Sequence, residues 1–261
     1  MRRLLVICWI AAGLLAARPA SAQMTGNVDR LKADLHGVDL DRAVAAASAL
    51  GSLKDSRARD ALMGALQLGA PPKLVNALLE ALGQHKDPKT VDLLRHYANN
   101  RNVTIRVTAL KALGQIPSPA VARILIDALG DSNPMVRARA ARLIGNLKYT
   151  KAQRSLFKML KRGDKSAAGP LGKVGGVEAA KQLAELIGTL AGSAIANAFG
   201  EMLKRKDFGP DPLRLQVVRA LGKIPDAEAT VALVEYIASV PPKEIRLSKK
   251  IAERIVAGRQ K

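Results

Sequence analysis

Apolar-glycine pairs recur along the chain at a nearly constant interval, and this periodicity constrains the fold more than any single motif. The pairs are Leu50-Gly51, Leu82-Gly83, Leu113-Gly114, Ile144-Gly145, Leu171-Gly172 and Leu221-Gly222, spaced by 32, 31, 31, 27 and 50 residues. The last interval is wide enough to hold a degenerate unit at Phe199-Gly200, 28 residues after Gly172. A period of this size is the signature of stacked supersecondary units, none of which buries its apolar faces alone.

Each unit reads as a helical hairpin. Leu74, Ile105, Val136 and Leu213 stand eight positions before the last apolar residue of their pairs, giving apolar positions at i, i+4, i+7 and i+8. That is the core stripe of an amphipathic helix. After the glycine comes a break such as Ile116-Pro117-Ser118-Pro119 or Ile224-Pro225-Asp226, then a second apolar run. Glycine can end one helix, and proline or aspartate can open the next. No alternating β-branched runs compete with this reading. The expected fold is all-α, a right-handed α-solenoid of about seven stacked hairpins over residues 40–261. A lead-in covers 23–39, the stack is irregular at 162–206, and a capping helix occupies about 242–257. In that last helix Leu247, Ile251 and Ile255 share one face and Arg246, Lys249, Lys250 and Arg254 the other, which suits covering the open core or lying on an anionic membrane.

The segments "DSNPMVRARAARLIGNL", "VTIRVTALKALGQIPSPAVARILIDAL" and "LRLQVVRALGKIPDAEATVALVEYI" resemble short HEAT repeats of the phycobilin-lyase type, which share an Asp-x-x-Pro-x-Val-Arg-x-x-Ala-x-x-x-Leu-Gly pattern. The glycine-rich stretch from Arg162 to Lys206 departs from it and lacks the Val-Arg pair. The resemblance implies a scaffold for recognition and assembly without naming a ligand. It also implies a structural ladder at Arg106, Arg137 and Arg214, each pairing with an acidic or amide group of the preceding turn; Asn100 and Asp131 stand six residues before Arg106 and Arg137. It further implies that these helices line the concave side. The outward row Ser48, Glu80, Lys111, Arg142 and Arg219 then turns from neutral or acidic to basic, and a binding groove of Lys111, Arg139, Arg142, Arg219 and Lys223 is expected.

Charge singles out the same region. Ser132 to Lys165 holds ten Lys or Arg and one acid, Asp164. Lys151, Arg154, Lys158 and Lys161 fall at i, i+3, i+7 and i+10, a secondary basic stripe. From Gln23 to Arg95 there are ten Lys or Arg against nine acids, whereas from His96 to Lys261 there are 29 against 13. Such a balance either keeps the chain soluble or attracts an anionic partner. An acidic protein, an anionic polymer such as nucleic acid, or a membrane surface would fit. Aromatic residues make up 3% of the chain, which weighs against base stacking and sugar platforms.

The first residues point to export. Met1-Arg2-Arg3, the 14-residue apolar run Leu4–Ala17 and Ala20-Ser21-Ala22 read as a signal peptide cleaved after Ala22, into a bacterial periplasm. A spanning helix would need about 20 residues. Cleavage removes three arginines and takes the net charge from +20 to +17. It also removes Cys8, so disulfides and thiolate sites are not expected.

No catalytic constellation is legible. His36, His85 and His96 are scattered, and no metal or cofactor is expected. Gly169, Gly172, Gly175 and Gly176 fit neither the dinucleotide nor the phosphate-loop pattern, since Val174 follows Lys173 where Ser or Thr is needed. The expectation is a non-enzymatic secreted scaffold that binds a protein partner, with no small-molecule substrate.

Overall fold

The computed structural model describes residues 20–259. The proposed leader run Leu4–Ala17 lies outside the described residues. Among the described residues there are fifteen α-helices and no β-strand. None of these helices is long and apolar enough to cross a membrane.

The helices form two layers. The first holds α2 (Leu40–Ser52), α4 (Pro72–His85), α6 (Val103–Leu113), α8 (Pro134–Asn146), α10 (Ala168–Val174), α12 (Gly192–Lys204) and α14 (Ala227–Ser239), each packed on the next. The second holds α1 (Ala20–Leu35), α3 (Ser56–Leu68), α5 (Val91–Ala98), α7 (Pro119–Ala128), α9 (Gln153–Lys161), α11 (Val177–Glu185) and α13 (Asp211–Gly222), which touch one another sparingly. Tighter spacing in the first layer makes it the shorter arc, so it is the inner, concave face. The last helix, α15 (Leu247–Arg259), closes the stack against α13 and α14.

Glycine sets that spacing, by a route other than helix termination. Gly51, Gly83 and Gly145 lie within their helices, and Gly114 caps α6 with φ −63. A Cβ added at Gly51 would lie 2.8 Å from Ala81, and one at Gly83 2.8 Å from Ala112. At Gly114 it would meet Leu143 at 2.6 Å, and at Gly145 Pro170 at 3.0 Å. Gly51, Gly83 and Gly145 therefore let one inner helix sit close on the backbone of the next, while Gly114 makes room for the Leu143 side chain. The buried residues Leu50, Leu82, Leu113 and Ile144 beside these glycines fill the seam.

The layer assignment changes near the C-terminal end. Gly200 follows the inner pattern, lying against Ala232 of α14, so the degenerate unit at Phe199-Gly200 is a true inner helix. Gly222 instead faces Ile255 of α15. Only 22 residues separate Gly200 from Gly222, and residues 205–210 are the whole connection between α12 and α13. No helix fits in between, so α13, which carries the repeat signature, folds back as the outer partner of α12. Within 162–206, α10 has 7 residues and α11 9, whereas α12 runs a full 13.

The C-terminal helix starts at Leu247, later than the expected 242. Its start is fixed from another helix: Asp211 accepts from the backbone N–H groups of Leu247 (2.9 Å) and Ser248 (3.3 Å) and from the Ser248 hydroxyl. Ser248 and Ala252 are buried, Ile251 and Ile255 half-buried, and Leu247 is exposed. The helix thus turns a slightly different face to the core than apolar spacing suggests.

Candidate functional site

The ladder arginines are structural, but their partners differ from expectation. Arg106 Nη1 donates to the backbone carbonyl of Asn100 (2.8 Å), and Arg137 Nη1 to those of Asp131 and Ser132 (both 3.0 Å). The preceding turn supplies backbone oxygens. The carboxylate comes from the following turn: Arg106 pairs with Asp131 and Arg137 Nε with Asp164 at 2.8 Å. Burial raises the Asp164 pKa, but hydrogen bonds from Ser166 and Arg137 outweigh it and hold the carboxyl below its usual range. Arg59 makes the same link to Asp87, which the sequence reading missed. The separations of 28, 25 and 27 residues for these three pairs, just under one repeat, are the signal that could have found it.

Arg214 does not join the ladder. It is buried and donates to the carbonyls of Leu203 (2.9 Å), Arg205 (2.6 Å), Lys206 (3.2 Å) and Gly209 (3.1 Å), around the end of α12. Burial pulls its pKa down. Its guanidinium is taken up wholly by these four carbonyls and pairs with no carboxylate among the described residues. Similar long-range caps hold other helix ends: Arg205 reaches Gly175 O (2.6 Å), Arg259 reaches Ile224 O (2.6 Å), and His85 Nε2 lies 3.0 Å from Leu50 O. The arginines among these caps also complement the helix dipole.

The inner face has its charge in the middle. By the glycine register, Ser48, Glu80, Lys111 and Arg142 occupy equivalent positions on α2, α4, α6 and α8, and Gly169 and Asn197 continue the row on α10 and α12. Lys111 Nζ bridges to Glu80 at 2.8 Å. Arg142 is exposed and Arg139, one turn earlier, is half-buried; neither side chain has an ion pair or hydrogen bond among the described residues.

Arg219 and Lys223 are corrected here. Both are exposed on the outer helix α13 and its C-cap, so they do not continue the row of Lys111 and Arg142. The physical reason is the change of layer at α12. The far end of the inner face turns acidic. A cleft of about 340 Å³ between α12 and α14 is lined by Glu201, Glu228 and Glu235 together with Lys165 and Lys204. Lys204 bridges Glu201 (3.1 Å) and Glu235 (3.0 Å). The stripe residues Lys151, Arg154, Lys158 and Lys161 are exposed on α9 and the turn before it, in the outer layer.

Comparison with known proteins places this architecture. Among solved structures, the chain is similar to the CpcE–CpcF complex of phycocyanin lyase from Nostoc sp. PCC7120 (18% identity, 89% of this chain and 94% of that one, TM-score 0.47). It is also similar to human deoxyhypusine hydroxylase (19% identity, 93% and 99%, TM-score 0.46) and to Kap121p (14% identity, 91% and 30%, TM-score 0.44). No curated protein matches the sequence. The expectation of a non-enzymatic chain is corrected by these matches: two structures sharing the fold are named for enzymes, so the fold gives no ground for excluding catalysis. The model of HEAT repeats matches residues 68–133 and 122–204, more than half of the sequence, and that of the PBS lyase HEAT-like repeat matches 43–67; the chain belongs to the HEAT-repeat family.

Proposed function

We propose that this chain is a secreted scaffold whose concave face binds a protein partner, seating an acidic segment on Lys111, Arg139 and Arg142. The observation that carries the reading is the pair of arginines on α8. They sit on the inner face without partners among the described residues, beside a lysine already matched by Glu80. An unmatched cation pair in a concavity favours charge-assisted bonds to carboxylates. The floor beyond it is low, with Gly169 and Asn197 in the row, which leaves room for a polypeptide backbone. Glu201, Glu228 and Glu235 at the far end suit a basic group on the same partner. Extended concave surfaces of this kind are what stacked repeats present. The apolar run Leu4–Ala17 supports export, which puts the encounter in the periplasm.

A photocrosslinking side chain at Asn197 tests the reading in cell envelopes. A crosslinked protein band is expected from the native chain and is expected to disappear when Arg139 and Arg142 are both reversed to Glu. A band that persists after the reversal refutes the acidic-segment reading.

A further inference from the structure

Helix α9 and its flanking residues present five cations to solvent and no acid: Lys151, Arg154, Lys158, Lys161 and Arg162 are all exposed. None has an ion pair or side-chain hydrogen bond among the described residues. Lys161 lies 5.1 Å over the Phe157 ring. On the inner layer, by contrast, exposed Lys73 is matched by Asp41 and Lys111 by Glu80. Across a cleft of about 390 Å³ the acids facing α9 are Asp127, Asp131 and Asp164, and the last two are already held by Arg106 and Arg137.

The spacing makes these charges repel. Lys151 and Arg154 are three residues apart, Arg154 and Lys158 four, Lys158 and Lys161 three, and Lys158 and Arg162 four. Like charges at such spacing destabilise a helix. The helix is kept in place by Leu156, Phe157, Met159 and Leu160, all buried. A face that repels itself is relieved by an external anion, and stability forgone on a surface points to function there.

Shape selects the anion. The convex layer meets a plane along the crest of a helix, whereas a linear polyanion needs a track that runs on. The neighbours supply none: α7 exposes Arg123 with Asp127, and α11 exposes Lys181 between Glu178 and Glu185. No apolar side chain is exposed on α9, so contact is electrostatic and without insertion. The geometry points to α9 as an adhesion site for a membrane surface rich in anionic lipid, on the opposite layer from the protein-binding groove.

Sedimentation of the full chain with phosphatidylcholine vesicles, with and without phosphatidylglycerol, tests this. Binding only to the anionic vesicles, falling as salt rises, is expected. Each basic residue near such a surface adds roughly fivefold to partitioning, so joint replacement of Lys151, Arg154, Lys158 and Lys161 by Gln should lower binding by about six hundredfold. The same variant should melt above the native chain, a direction that a merely structural stripe would not give. Should it not fold, Lys158→Gln with Lys161→Gln is expected to lose about tenfold or more. Reversal of Arg139 and Arg142 should leave vesicle binding unchanged. Undiminished binding by the Gln variant, a lowered melting temperature, dependence on the groove arginines, or heparin retention without vesicle binding would each overturn the proposal.

Discussion

The Arg106 guanidinium ties two turns together: Nη1 donates to the Asn100 carbonyl at 2.8 Å, while Nη2 donates to Asp131 Oδ1 and Nε lies against Oδ2, both at 2.9 Å. Asp131 is not merely its counterion. The same carboxylate accepts from Asn133 N at 2.8 Å in the turn that opens α8, so one repeat fixes the start of the next. The side chains of both residues are largely buried, at 11% and 15% exposure. Asp131→Ala should cost about 2 kcal/mol, because the guanidinium keeps its burial and loses its charge partner. Chemical denaturation of Asp131→Ala, Arg106→Ala and the double variant measures the coupling; additive losses would show that the link carries no energy of its own.

Substitutions of glycine should change sign with position. Gly83→Val forces a side chain into Ala112 and should destabilise by about 2 kcal/mol or more through overpacking. Gly64 lies mid-helix in α3 with no atom within 4 Å of an added Cβ. There Gly64→Ala should stabilise by about 0.5 to 1 kcal/mol. Thermal melts of both settle the stacking role: equal effects would remove it.

Acid should loosen the middle of the stack through Asp164. Its folded pKa is depressed, so its contribution is complete above the unfolded value near 3.9 and is lost as pH falls through the lower folded value. Stability measured from about pH 5 downward should fall less steeply for Asp164→Asn than for the native chain. An identical slope would show that Asp164 gains nothing from Arg137 and Ser166.

The arginines of α8 should separate by face. Arg137→Ala should cost about 1 to 3 kcal/mol, since it strips a donor from two turn carbonyls and the partner from Asp164. Reversing Arg139 and Arg142 should change stability by less than about 0.5 kcal/mol while abolishing capture of an acidic partner. A reversal that unfolds the protein would place these side chains in the core.

Asp211→Ala should release the start of α15 and leave the buried Ser248 hydroxyl with Tyr236 alone, 2.5 Å away. A loss of about 1 to 2 kcal/mol is expected, as for other N-caps. Hydrogen exchange should rise first at residues 247–259. Uniform exchange across the chain would argue against a local effect.

The interval between glycines was enough to read the repeat, the helical class and even the degenerate unit at Gly200, because close helix stacking demands a small residue at a fixed place. Arg106 and Arg137 were legible as structural for the same reason. Their carboxylate partners were not, since a partner 25 or 27 residues away is set by how turns stack, not by local spacing. Arg219 was misplaced because the Leu-Gly stripe tells which face of a helix is buried, not which layer the helix joins. That is decided by connection length, here residues 205–210. Charge density singled out Arg139 and Arg142, which the structure leaves without an ion pair among the described residues, but not the acids Glu201 and Glu235, which meet only when α12 and α14 become neighbours.

The handover between α12 and α13 acts on the solenoid as a frameshift acts on a gene. Omitting one helix, where whole hairpins are the codons, keeps every later helix intact yet exchanges the roles of lining and exterior from that point on. A side chain pattern that upstream faces the bore is read downstream on the outside. Any row of side chains that recurs along the inner helices therefore loses its phase after α12, the sixth of them.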